Sequence, residues 1–152
     1  MDKYNAYKNL VEIIYEGTRV INKYQSQPRN YGTDITLYMA EVHILAMIFE
    51  QEGVTVSELA ENTNKSRSAI TQTVNKLEKK DLVRKERNPE YHKKINLFTT
   101  DIGRETCLFH NDLDHTNYEK TLKSLEDFSI EEFERLGKLY RVISDHIKLE
   151  IE

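Results

Sequence analysis

Residues 54–100, VTVSELAENTNKSRSAITQTVNKLEKKDLVRKERNPEYHKKINLFTT, decide the fold of this chain. Val54 reads as a short strand. Thr55 and Glu58 follow at capping-box spacing, with Ser57 as an alternative cap, and open a short helix that contributes Leu59 and Ala60 to a core. Asn62-Thr63-Asn64 makes a turn, and Ser66 stands where a side-chain oxygen caps the next helix. In that helix Ile70, Val74 and Leu77 fall at i, i+4 and i+7, so one face is apolar and buried. Residues 82–87 and 95–99 alternate as two strands, joined by Asn88-Pro89-Glu90-Tyr91-His92-Lys93-Lys94. Strand, helix, turn, helix and hairpin in this order make a winged helix-turn-helix. Such a unit lays its second helix in a DNA major groove while the hairpin, or wing, reaches the flanking backbone.

Charge is distributed to match. The chain holds 22 Lys+Arg against 26 Asp+Glu, a net of -4, which taken whole argues against a nucleic-acid binder. Residues 65–94, however, carry ten Lys/Arg and four Asp/Glu, or +6, leaving -10 on the rest. A basic patch on an acidic body is the footprint of a protein that docks DNA by one face. Opposite the apolar face, the second helix presents Ser66, Arg67, Ser68, Thr71, Gln72, Asn75 and Lys76. Hydroxyls, amides and a guanidinium suit base edges and phosphates, whereas an isolated helix with these residues would read as an ordinary solvent face. On the wing, Arg84, Lys85, Arg87, His92, Lys93 and Lys94 are the expected phosphate contacts.

Outside this segment the chain reads as helices. Tyr7, Leu10, Ile14, Ile21 and Tyr24 recur at helical spacing over about residues 3–26, and residues 27–32 read as a loop. A second helix spans Leu37 to Gln51 and ends at Gly53. Thr100-Asp101 begins a long helix to Ser124, and another starts at Ser129, capped with Glu132 and striped by Phe133, Leu136, Tyr140, Ile143 and Ile147. These terminal helices exceed what a small winged helix needs for its own core. Burying their stripes against a second copy gives a symmetric dimer that presents two recognition helices to a palindromic site.

The fold class is thus mainly α. It is a winged helix-turn-helix lobe at 37–100 flanked by dimerisation helices at 1–36 and 101–152, in one domain of 152 residues. No N-terminal apolar run, cleavage site or membrane-length segment is present, so a cytoplasmic location away from membranes is expected. Paired carboxylates and Ser-His or Cys-His arrangements are absent, so an enzyme is not expected, nor is a cofactor. Glu41, His43, His110 and His115 are the conceivable metal ligands, with Asp112 nearby. His110 and His115 stand five apart rather than four, which points their imidazoles apart, so no metal site is assigned. Cys107, alone and mid-helix with only Arg104 beside it, reads as inert packing rather than a redox switch.

The run GVTVSELAENTNKSRSAITQTVNKLEKKDLVRKERNPE, continued by the strand into TTDIG, resembles the MarR family of bacterial transcriptional regulators along nearly the whole chain. In that pattern Ser57-Glu58-Leu59-Ala60 opens the helix-turn-helix. Residues 77–83 close the recognition helix and enter the wing, and Thr100-Asp101-Ile102-Gly103 starts the dimerisation helix. Glu41-Val42-His43-Ile44 is similar to a Firmicutes branch that includes fatty-acid-synthesis repressors, and names no regulon. The resemblance implies a homodimeric repressor on a palindromic double-stranded operator, released by a small-molecule effector that biases the dimer geometry. A metal-responsive regulator of the same fold is the runner-up. A winged-helix protein-interaction module is the reading from another class, and it predicts an apolar recognition face.

One departure from the family lies at the wing tip. The usual Asp-Arg-Arg or Asp-Lys-Arg is replaced by Tyr91-His92-Lys93. An ammonium is harder to desolvate in a narrow minor groove than a guanidinium, and His92 adds charge mainly at acid pH. Weaker and more salt-sensitive binding than the usual wing supports is therefore expected.

Overall fold

A computed structural model describes residues 2–91 and 93–151. The elements run α1 (Lys3–Gln25), β1 (Arg29–Asn30), β2 (Thr36–Leu37), α2 (Met39–Glu50), α3 (Val56–Thr63), α4 (Arg67–Lys79), β3 (Val83–Arg87), β4 (Ile95–Thr99), α5 (Asp101–Lys123) and α6 (Ile130–Ile151). The fold is mainly α and is that of the winged helix-turn-helix. None of its described helices is long and apolar enough to cross a membrane. The chain divides into two compact units, residues 1–112 and 113–152.

In the first unit the expected caps form. Thr55 Oγ1 accepts from Glu58 N at 3.3 Å while Thr55 N donates to Glu58 Oε2 at 2.7 Å, so Thr55 and not Ser57 starts α3. Hydrogen bonds from Thr55, its side chain first and then its backbone, hold the Glu58 carboxyl below the usual carboxylate range. Asn64 ends α3 in the left-handed region at φ 52°, a conformation asparagine tolerates, and Ser66 Oγ accepts from Ala69 N at 3.2 Å to begin α4. Leu45, Ile48, Leu59, Ile70, Val74 and Leu77 are almost wholly buried and bring α2, α3 and α4 onto one core. Each such burial stabilises by about 1.5–3 kcal/mol, against about 0.5 kcal/mol for an exposed ion pair. The apolar stripe, not the surface charge, therefore sets how α4 faces.

Three local expectations are corrected. Val54 forms no strand; its carbonyl accepts from Leu97 N at 2.9 Å while Gly53 N donates to Leu97 O at 2.8 Å, a contact too short for a strand. Residues 27–32, expected to form a loop, contribute β1, which pairs antiparallel with β2 in the register Arg29↔Leu37 and Asn30↔Thr36. Leu37 accordingly lies in β2 rather than starting the second helix, and α2 begins at Met39. Strands β3 and β4 pair antiparallel from Val83↔Thr99 to Arg87↔Ile95, as expected of a wing.

The second unit holds the end of α5, a turn and α6. Ser129 N donates to Glu132 Oε2 at 2.8 Å and Glu132 N to Ser129 Oγ at 3.3 Å, the expected capping box. Phe128 and Phe133 meet with ring centroids 6.1 Å apart. Along α6, Leu136, Tyr140 and Leu149 remain exposed, as do Tyr4, Tyr15 and Val20 along α1 in the first unit.

Candidate nucleic-acid interface

Helix α4 buries Ile70, Val74 and Leu77 and turns its other face outward. Ser66, Arg67, Ser68, Thr71, Gln72, Asn75 and Lys76 are all exposed there. Thr71 Oγ1 donates back to Arg67 O at 2.7 Å, which leaves its lone pairs outward. Ser66 and Ser68 hydroxyls lie 3.1 Å apart at the helix start. Arg67 and Lys76 make no ion pair among the described residues, so their charge is open to a ligand.

The wing stands beside this face and is bonded to it. Lys85 Nζ donates to Asn75 Oδ1 at 2.6 Å and to Glu78 Oε2 at 2.7 Å, so Asn75 and Lys85 brace helix against strand. The Arg84 guanidinium bonds Glu86 and lies 4.9 Å from the Phe98 ring centre. Lys94 approaches Glu58 at 4.0 Å, whereas Arg87 and Lys93 are exposed and make no ion pair among the described residues. His92 lies outside the described residues. The turn before it is held by Asn88 Oδ1, which accepts from Glu90 N at 3.0 Å and Tyr91 N at 2.9 Å. A cleft of about 440 Å³ separates wing from helices, with Thr55, Ser57 and Thr71 facing Lys85, Lys93 and Lys94 across it. Polar groups thus converge on one surface, opposite the face that the helix buries.

The conceivable metal ligands do not form a set. His43 and His110 come together, with ring centroids 5.7 Å apart. Glu41 does not join them: it is buried and its Oε2 accepts from Lys80 Nζ and from Tyr38 N, both at 2.9 Å. His115 is exposed in the second unit. Among the described residues no three His, Cys, Asp or Glu side chains group as metal ligands do. Sequence reasoning passed over the partnership of Glu41 with Lys80, although Glu41 stands three residues after Tyr38, the spacing of a helix-start cap.

Cys107 is fully buried in α5, and its thiol is pushed up to about 12, chiefly by burial and then by the Glu50 and Glu52 carboxylates, with Arg104 opposing. Glu52 is itself tied down: Thr99 N donates to it at 3.0 Å, the Thr99 hydroxyl bonds it, and Arg104 Nη2 donates to it at 3.2 Å. A thiol so held does not form the thiolate that oxidants attack. In the folded protein Cys107 is expected to resist alkylation and disulfide reagents at about pH 8 and to react fully once denatured. Fast native labelling would contradict this. Because its folded pKa lies above the ordinary value near 9, the stability it lends is complete below about pH 9 and is lost as pH climbs toward about 12.

Known proteins match this arrangement. The model of the MarR family matches residues 37–94, the span from β2 to the wing. An uncharacterized HTH-type transcriptional regulator of Bacillus subtilis, YvnA, is 24% identical over 104 residues, covering 68% of this chain and 66% of that protein. The crystal structure of Streptococcus pneumoniae FabT in complex with DNA superposes with a TM-score of 0.67 at 20% identity, over 96% of this chain and 98% of that one. That of Lactococcus lactis ZitR, a zinc-responsive MarR family member, gives 0.71 at 16% identity, over 93% and 99%. At these identities the solved structures establish the shared fold.

Proposed function

We propose that this chain, a MarR-family regulator by its winged helix-turn-helix and its fold and not an enzyme, is a homodimeric repressor that binds a palindromic DNA operator and is released by a small ligand. The observation that carries the reading is the exposed polar face of α4 with the basic wing braced beside it. Arg67, Gln72 and Lys76 face a major groove, with Ser66 and Ser68 on phosphate, and Arg87, Lys93 and Lys94 supply the salt-dependent grip on the flanking backbone. Asn75 and Lys85 act first on each other, so their share in DNA contact is smaller than that of Arg67. A protein-interaction module would carry apolar residues where these polar ones stand. Selection of bound duplexes from a random pool tests the proposal. A palindromic motif supports it, and salt-labile binding with no motif sinks it.

The dimer rests on the exposed stripes. Leu136 and Leu139, with Leu125, Phe128 and Phe133, line an apolar groove of about 740 Å³ on the second unit, and α1 exposes a row of tyrosines. Apolar surface of this extent is characteristic of an interface. Leu136→Glu is expected to turn a particle of twice 18.0 kDa into a monomer in light scattering at micromolar concentration. Loss of the palindrome's second half-site would then weaken operator binding by roughly a hundredfold or more, since two linked half-sites reinforce each other by that order. An unchanged mass and affinity would remove this face from the interface.

A further inference from the structure

We infer that Lys80 and Glu41 form a positioning lock that sets the pose of the recognition helix, and so operator selectivity, without touching DNA; this rests on the DNA-binding reading above. Lys80 caps the C-terminus of α4, and its ammonium is drawn to α2 and β2. It donates to Glu41 Oε2 at 2.9 Å and to the Thr36 carbonyl at 3.0 Å, bridging 39 and 44 residues of sequence. Glu41 is 7% exposed at its side chain and Lys80 30%. The same carboxylate oxygen accepts from Tyr38 N, so one group ends β2, starts α2 and holds the end of α4. Thr36 is in turn bonded through its hydroxyl to Asn30 Oδ1 at 3.0 Å, which extends the lock across the β1–β2 pair.

The reason for an ion pair here is geometric. Lys80 keeps water on one side, so the pair adds little net stability, but breaking it strands the buried Glu41 carboxylate without its cation, so the pair favours the arrangement that keeps the two together. Helix α4 has 13 residues and is about 20 Å long. A tilt of about 5° at its C-terminus moves Arg67, at the other end, by roughly 1.7 Å, well beyond what a hydrogen bond to a base edge survives. Apolar contacts along Ile70, Val74 and Leu77 resist sliding, yet non-directional packing discriminates such a tilt poorly.

The test compares Glu41→Gln and Lys80→Met with wild type on the duplex recovered by selection and on a scrambled duplex of equal length. The Glu41→Gln side chain retains an oxygen for Tyr38 N, and melting temperatures track folding. Each variant is expected to lose roughly tenfold on the operator, the equivalent of one mismatched base pair. The scrambled duplex should hold within about twofold, with the salt slope unchanged, since no phosphate contact is lost. The double variant is expected to lose no more than either single one.

If Lys80 instead grips phosphate, Glu41→Gln frees it and binding strengthens on both duplexes, while Lys80→Met lowers the salt slope. That sign, or losses that multiply in the double variant, overturns the lock. Should Glu41→Gln melt below assay temperature, Lys80→Met carries the same test through its duplex ratio and slope. A wild type indifferent to the two duplexes overturns the DNA-binding reading itself and the lock with it. A selective wild type with selective variants overturns the lock alone.

Discussion

Arg67→Ala is expected to weaken binding to the selected operator by about five- to 150-fold, the equivalent of one good base contact of about 1–3 kcal/mol. Arg67 is the first residue of α4, and Ser66 fixes the backbone directly before it. It is exposed and makes no ion pair among the described residues, so its guanidinium donors are open to a ligand. Recognition helices meet base edges with their N-terminal residues, where a guanidinium takes guanine O6 and N7 together. Removing it therefore costs most on the preferred base pair and less on variants of the site. Titrations against point-substituted operators, repeated over a range of salt, separate two roles. Relaxed preference at one position marks a base contact. A uniform loss with the salt slope reduced by about one marks a phosphate contact instead. Affinity and preference both unchanged would remove Arg67 from the interface, and the placing of α4 in the groove would go with it.

Most of the fold was legible because its signals are local. Thr55 with Glu58, Ser66, and Ser129 with Glu132 are caps whose partners lie three residues away, and all three form as read. The stripe Ile70, Val74, Leu77 implied which face of α4 is outward, and the exposed set from Ser66 to Lys76 follows from it. The β1–β2 pair escaped because two-residue strands are too short to alternate, and Leu37, buried in β2, mimics the first apolar residue of a helix. What sequence could not reveal in the candidate site are pairings across the fold. Lys85 looked like a phosphate contact by charge and place, yet Asn75 and Glu78 hold it. Glu41 looked like a metal candidate, yet it answers a lysine 39 residues on. Both are outcomes of packing, which periodicity orients but does not enumerate.

Gly103→Ala is expected to destabilise the fold by about 3 kcal/mol, the upper part of the range for forcing a methyl into a packed site. For a chain of this size that corresponds to a fall in Tm of roughly 6–12 °C. Helix propensity alone argues the other way, since alanine is favoured over glycine inside a helix by about 1 kcal/mol. Space reverses the sign. A Cβ on Gly103 would lie 2.1 Å from the Leu82 carbonyl oxygen and 3.0 Å from its carbon, and both are backbone. Neither can rotate away, because Thr100 N donates to that carbonyl at 3.1 Å and the Thr100 hydroxyl bonds Asp81 O at 2.6 Å and accepts from Gly103 N at 3.0 Å. The start of α5 is thereby seated on the turn that ends α4, where Asp81 already sits at φ 56°. A methyl group there pushes on Leu82, whose N–H bonds Leu77 O of the recognition helix at 3.0 Å, so operator affinity should fall along with stability. Gly17, mid-way along α1 with nothing within 4 Å of its would-be Cβ, is the matched control. Gly17→Ala is expected to be neutral or to stabilise by up to about 1 kcal/mol. Thermal melts of the two variants decide it: a Gly103→Ala protein melting with wild type would mean that α5 is not seated on that turn.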